Sequence, residues 1–150
     1  RQLTVDLSPP ILQNEGLADA LGWLQGQMQE LHGLHVDLEA AHSFQLGDAD
    51  LRVLLFQIVR ELLFNVVKHA GVDRATVRLV QDTETGTGLV IHVIDQGCGF
   101  DVLAVLDRAE PEAGFGLYSA RERLRLLGGR LEVQSRPGAG THVEVHAPKT

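Results

Sequence analysis

The chain has 150 residues, 44% of them apolar and 22% charged, which fits one globular domain and excludes wholesale disorder. Thirteen basic residues against 20 acidic ones leave a net charge of −7, which counts against a phosphate-tracking nucleic-acid binder. The lone cysteine, Cys98, excludes an internal disulfide and fits a reducing compartment.

Residues 1–10 end in Ser8-Pro9-Pro10, which cannot continue a helix. Residues 1–14 therefore read as the end of an upstream element with a linker, and residues 15–150 as the domain. From Leu17 the apolar positions Leu17, Leu21, Leu24, Met28 and Leu31 alternate steps of four and three. That spacing predicts one face of an amphipathic helix, closed near Gly33. His35 to Ala41 sets Val36, Leu38 and Ala40 against His35, Asp37 and Glu39, the pattern of a short strand. Asp48 or Asp50 caps a second helix that runs to about Ala70, with Gly71 just past its end. Apolar residues cover most of this helix. Its polar residues Gln57, Glu61, Asn65 and Lys68 nevertheless follow at steps of four, four and three, so they form one seam. A mostly buried helix with a narrow polar stripe is a candidate site.

Two strands follow as a hairpin, Ala75–Gln81 and Leu89–Asp95, joined by a turn containing Gly86 and Gly88. Residues 100–113 have little pattern and read as a loop. Gly114-Phe115-Gly116 opens a third helix, with Leu117, Ala120, Leu124 and Leu127 on one face and Gly128-Gly129 as its stop. A last hairpin pairs Arg130–Ser135 with Thr141–Ala147. No apolar run approaches the roughly 18 residues of a membrane span, and no signal-peptide pattern opens the chain. Hairpins mixed with helices predict an α+β fold, a two-layer sandwich with a mixed sheet of about five strands and three helices on one face.

The chain has sixteen glycines, about half again the usual share of roughly 7%, and about a third of them fall into short motifs. In order these are Glu61-x-x-x-Asn65-x-x-Lys68-His69, Asp95-x-Gly97-x-Gly99, Gly114-x-Gly116-Leu117 and Gly140-Thr141. Each is weak alone. Together, in this order and on these elements, they resemble the nucleotide site of histidine-kinase ATP-binding domains, the Bergerat or GHKL fold, across residues 15–148. Within that family the chain looks most like the short-lid kinases, whose asparagine box often reads N-V-V-K-H, as Asn65–His69 does here. Asp6-Leu7-Ser8-Pro9 resembles the end of the family's dimerisation helix.

The resemblance implies a role for each box. Asn65 would be the catalytic-site ligand of Mg²⁺, to which its neutral amide oxygen is suited. Glu61 would act one turn earlier, on a metal-bound water in a kinase or on the attacking water in a hydrolase. Lys68 can reach phosphate as a point charge, with His69 beside it. Asp95 would accept from the adenine amino group and select adenine over guanine; a plain Asx turn feeding Gly97 is the competing reading. Gly97 and Gly99 would let the backbone turn beneath the base. Thr141 would add a second adenine contact. Gly114, Phe115, Gly116 and Leu117 would hold phosphate at a helix N-terminus, and residues 100–113 would form a short ATP lid. Arg121, Arg123 and Arg125 read as a solvated face. Cys98 fills a variable position between the two glycines; exposed, it would be a thiol shielded by bound nucleotide.

The implied activity is transfer of the ATP γ-phosphoryl group to a histidine on an upstream dimerisation domain, with ATP and Mg²⁺ as cofactors and a response regulator as indirect partner. The domain would face the cytoplasm, whether or not its parent is membrane-anchored. His32, His35, His42, His92, His142 and His146 lack the acidic context of a phosphoacceptor, and no C-x-x-C or H-E-x-x-H spacing joins them into a metal site. Three further readings share the boxes. A GHKL serine kinase of anti-sigma-factor type would not open with D-L-x-P. An ATPase related to gyrase or the mismatch-repair proteins would use Glu61 on water and continue into a transducer domain. A non-catalytic module would bind ATP, or only partners.

Overall fold

Side chains alternate across a strand, so the apolar positions decide which side of the sheet is covered. In the computed structural model, which describes residues 16–40, 49–81, 88–99 and 117–148, five strands form one mixed sheet in the order β1-β2-β3-β5-β4. These are β1 (His35–Ala40), β2 (Arg74–Gln81), β3 (Leu89–Asp95), β4 (Arg130–Ser135) and β5 (Thr141–Ala147). β1 runs parallel to β2, and the other pairs are antiparallel. Val77 lies opposite Val93, which lies opposite Val143; Leu79, Ile91 and Val145 make a second row. Both rows point to one buried face.

Three helices cover that face: α1 (Leu17–His32), α2 (Ala49–Asn65) and α3 (Leu117–Leu126). Leu17, Leu21, Leu24 and Met28 of α1 are buried as their spacing requires. Gly33 ends the helix in the left-handed conformation, and its N–H closes onto the Gln29 and Met28 carbonyls. α2 is the central helix. Leu55, Phe56, Ile58 and Val59 are fully buried because it packs on β3 and touches both other helices. That position explains why it is apolar nearly all round.

Several expectations need correction. Leu31 is 50% exposed and Leu127 40% exposed, so the apolar stripes of α1 and α3 end a turn earlier than the periodicity suggests. Asp50 is the second residue of α2 rather than its cap, and Asp48 lies outside the described residues. The helix does not reach Ala70 as one α-helix, because Val66–Ala70 is a π turn before the left-handed Gly71. Residues 1–14, the 100–113 loop and Gly114-Phe115-Gly116 also lie outside the described residues.

Core truncation separates the buried face from the exposed leucine. Ile58→Ala should lower unfolding free energy by about 2–5 kcal/mol, while Leu127→Ala should stay within about 0.5 kcal/mol; urea unfolding of the two variants measures the contrast.

Candidate functional site

Between the end of α2 and the ends of β3 and β5 the buried face opens into a cavity of about 520 Å³, part of it open to solvent. Leu62, Asn65, Val66, His69 and Ala70 form the helical wall; Val93, Asp95, Thr141 and Val143 form the sheet wall, with Gly99 at the rim. Four of the motifs' polar residues, Asn65, His69, Asp95 and Thr141, thus meet around one apolar space.

The π turn decides which residues face it. His69, four residues after Asn65, shares its face in either kind of turn, whereas an i→i+5 turn advances less per residue than an α turn and so swings the third residue on away from that face. Lys68 falls short and is exposed, with its ammonium 5.9 Å above the Phe64 ring. Arg60 at 5.8 Å and the edge-on ring of His32 surround the same phenyl group. Glu61 is half-buried one turn before Asn65 and does not line the cavity. The polar seam therefore divides, with Asn65 in the cavity wall and Lys68 outside it.

Asp95 is the buried polar residue among the described core, 8% exposed. It ends β3 on the apolar face because it continues the row of Leu89, Ile91 and Val93. Its Oδ1 accepts a 2.8 Å hydrogen bond from the Gly97 N–H, so the Asx turn forms; the carboxylate still lines the cavity. The turn and the ligand-facing role are compatible, since a carboxylate has two oxygens. Burial raises its pKa, and the Gly97 amide opposes part of that rise. His69 is shifted the other way, because burial and then the Lys68 charge disfavour its protonation.

Close contacts within the protein account for both loop glycines. A Cβ on Gly97 would lie 2.6 Å from the Ala70 Cβ, and Gly99, at φ +68°, would drive one into the Arg136 carbonyl. They are required by close approach of protein to protein, which seats the loop. Cys98 N–H donates to the Ala70 carbonyl at 2.9 Å, and the Cys98 carbonyl accepts from Gly138 N–H. The loop thus ties the end of α2 to the β4–β5 turn. Cys98 is exposed, donates its thiol to the His69 carbonyl at 2.9 Å, and does not line the cavity.

Ser135 was not singled out by the motifs. Its Oγ lies 2.9 Å from both the Gly140 carbonyl and the Thr141 hydroxyl, so it fixes the Thr141 side chain at the cavity. The sequence signal is its position directly opposite Thr141 across the hairpin. Of the arginines, Arg123 and Arg125 are exposed as expected, whereas Arg121 is half-buried, its Nε 4.0 Å from Glu122 Oε2. Leu117 begins α3.

Residues 50–150 match the family described as histidine kinase-, DNA gyrase B- and HSP90-like ATPase. The chain belongs to that family. Its fold is similar to the histidine kinase domain from the Erythrobacter litoralis EL346 blue-light activated histidine kinase, with a TM-score of 0.70 and 20% identity over 89% of this chain and 61% of that one. A longer chain of the same kinase gives a TM-score of 0.70 and 23% identity, over 89% of this chain and 42% of that one. The chain thus spans less than two thirds of the length of either. No helix among the described residues is long and apolar enough to cross a membrane.

The Asp95 shift has a testable sign. A carboxyl whose folded pKa exceeds its unfolded value binds protons more tightly when folded, so its ionisation destabilises the protein as pH rises through the folded pKa. Asp95→Asn keeps the Asx turn without the buried charge. Its Tm should exceed wild type at pH 7, and the gap should shrink as pH falls below the raised Asp95 pKa. A variant less stable at pH 7 would contradict this reading.

Proposed function

We propose that this chain is the ATP-binding catalytic domain of a sensor histidine kinase of the short-lid group, transferring the ATP γ-phosphoryl group to a histidine on a separate dimerisation domain. The observation that carries the proposal is Asp95, a buried carboxylate with one oxygen held by Gly97 and its side chain in the wall of an apolar cavity. A flat heterocycle with an exocyclic amino group satisfies both features, burying its faces against Leu62, Val93 and Val143 and donating to Asp95.

The remaining roles follow from chemistry. Thr141, held by Ser135, offers a hydroxyl to the base edge, directly or through water. Asn65 fits a Mg²⁺ ligand, since it is a neutral amide in the cavity wall and hard cations take oxygen donors while keeping several waters. Glu61, one turn earlier, is suited to a metal-bound water. Mg²⁺, when bound, neutralises charge on the triphosphate. His69, held neutral, adds no competing positive charge to the wall. Lys68 reaches phosphate once its flexible stem leaves Phe64. The start of α3 at Leu117, preceded by Gly114-Phe115-Gly116, is suited to anionic oxygens. Positioning and charge neutralisation are the domain's contribution to transfer. Dimerisation helices of the same kinase are the direct partner, a response regulator the indirect one, and the cytoplasm the compartment where ATP is at hand.

The test uses γ-labelled Mg-ATP. The chain alone should bind nucleotide with little turnover; added dimerisation helices should acquire acid-labile, base-stable label. Asn65→Ala should reduce that transfer by at least about a hundredfold, equivalent to roughly 2.7 kcal/mol. Steady phosphate release by the chain alone, abolished by Glu61→Ala, would instead assign it to the ATPases.

A further inference from the structure

The outer face of the sheet, turned away from the helices, carries a cluster that the nucleotide site does not use. His92 of β3 lies directly opposite Glu144 of β5, and Glu144 lies opposite Glu132 of β4. His142 and His146 flank Glu144 on the same strand face. Their nearest sequence neighbours, Ile91, Val93, Val143 and Val145, point to the core, so the imidazoles and carboxylates are directed outward by simple alternation.

We propose that His92, His142 and Glu144 form a binding site for a borderline divalent transition-metal cation, Zn²⁺ being the best fit. His92 Nδ1 is 2.9 Å from His142 Nε2, and that nitrogen is 3.9 Å from Glu144 Oε2. All three donor atoms lie within 4.8 Å of one another. Ligands at about 2.0–2.1 Å from a tetrahedral Zn²⁺ are about 3.3 Å apart. The two imidazole nitrogens therefore need to separate by only a few tenths of an ångström, while the Glu144 carboxylate closes in by a side-chain rotation to complete the set. In the metal-free arrangement one ring donates its proton to the other. With both lone pairs directed to a cation, His92 keeps its proton on Nε2 and His142 keeps its own on Nδ1.

Surrounding groups support this use. The second Glu144 oxygen, Oε1, is held at 3.0 Å by His146 Nε2, the kind of outer hydrogen bond that orients a ligating carboxylate. The nearby arginines are engaged elsewhere, Arg130 with Glu132 at 2.7 Å and Arg78 with Glu39 at 2.9 Å. Side-chain exposures of 32% for His142 and 24% for Glu144 leave a path from solvent. Two imidazoles with one carboxylate suit Zn²⁺ and disfavour Mg²⁺, which prefers oxygen donors. The site is thus chemically distinct from the Asn65 wall, on the opposite side of the sheet.

Titration of the 150-residue chain with Zn²⁺ against a chromophoric chelator, and with Co²⁺ as a visible-absorption probe, tests the assignment. Wild type should take up Zn²⁺ at this site and show a Co²⁺ spectrum of low coordination number. His92→Ala and His142→Ala should each weaken Zn²⁺ binding at least about tenfold and lose the Co²⁺ spectrum, while His35→Ala should change neither. Far-UV circular dichroism of the same samples establishes that the variants are folded; the replaced side chains are outside the core. No Zn²⁺ uptake by folded wild type, or uptake unchanged in both histidine variants, would overturn the proposal.

Discussion

A carboxylate that ends a strand on the apolar face of a sheet has lost most of its water, and Asp95 regains one hydrogen bond, from Gly97, among the described residues. Burial disfavours its ionised form, and the Gly97 amide offsets part of that cost. The rest of the site depends on that constraint. The Asx turn sets the path of residues 96–99, the loop reaches Ala70 and Gly138 through Cys98, and the end of α2 is thereby held at the spacing that leaves the cavity open.

The fold meets this constraint with two devices. Close approach is provided by Gly97 and Gly99, where a side chain would collide with Ala70 and Arg136. Phase is provided by the π turn at Val66–Ala70, which keeps His69 on the face of Asn65 and turns Lys68 away from it. A π turn inside a longer helix is commonly a functional feature. Here its consequence is electrostatic, since a neutral imidazole replaces an ammonium in the wall.

Much of this architecture is legible in the sequence because strands and helices bury their faces periodically. β3, β4 and β5 begin and end where alternation begins and ends, and α1 closes at Gly33. The boxes containing Asn65, Asp95 and Thr141 meet at one cavity. What sequence could not carry is whatever depends on a change of period or on register. The polar seam of α2 follows an α repeat, which the π turn breaks after Asn65, so the spacing alone does not show that Lys68 lies outside the cavity wall. Gly97 and Gly99 were assigned to the ligand because the protein backbone they actually meet is distant in sequence. Ser135 and the His92–His142 pair exist as neighbours only through strand pairing, with 50 residues separating the two histidines.

Competition between ADP and inosine diphosphate for a fluorescent nucleotide on the folded chain tests the role of Asp95 most directly. The two ligands differ where the purine amino group is replaced by a carbonyl, which repels a carboxylate instead of donating to it. Wild type should prefer ADP by about tenfold or more, and Asp95→Asn should lose most of that preference. Equal displacement by both nucleotides from wild type, or a preference that survives in Asp95→Asn, would contradict the account.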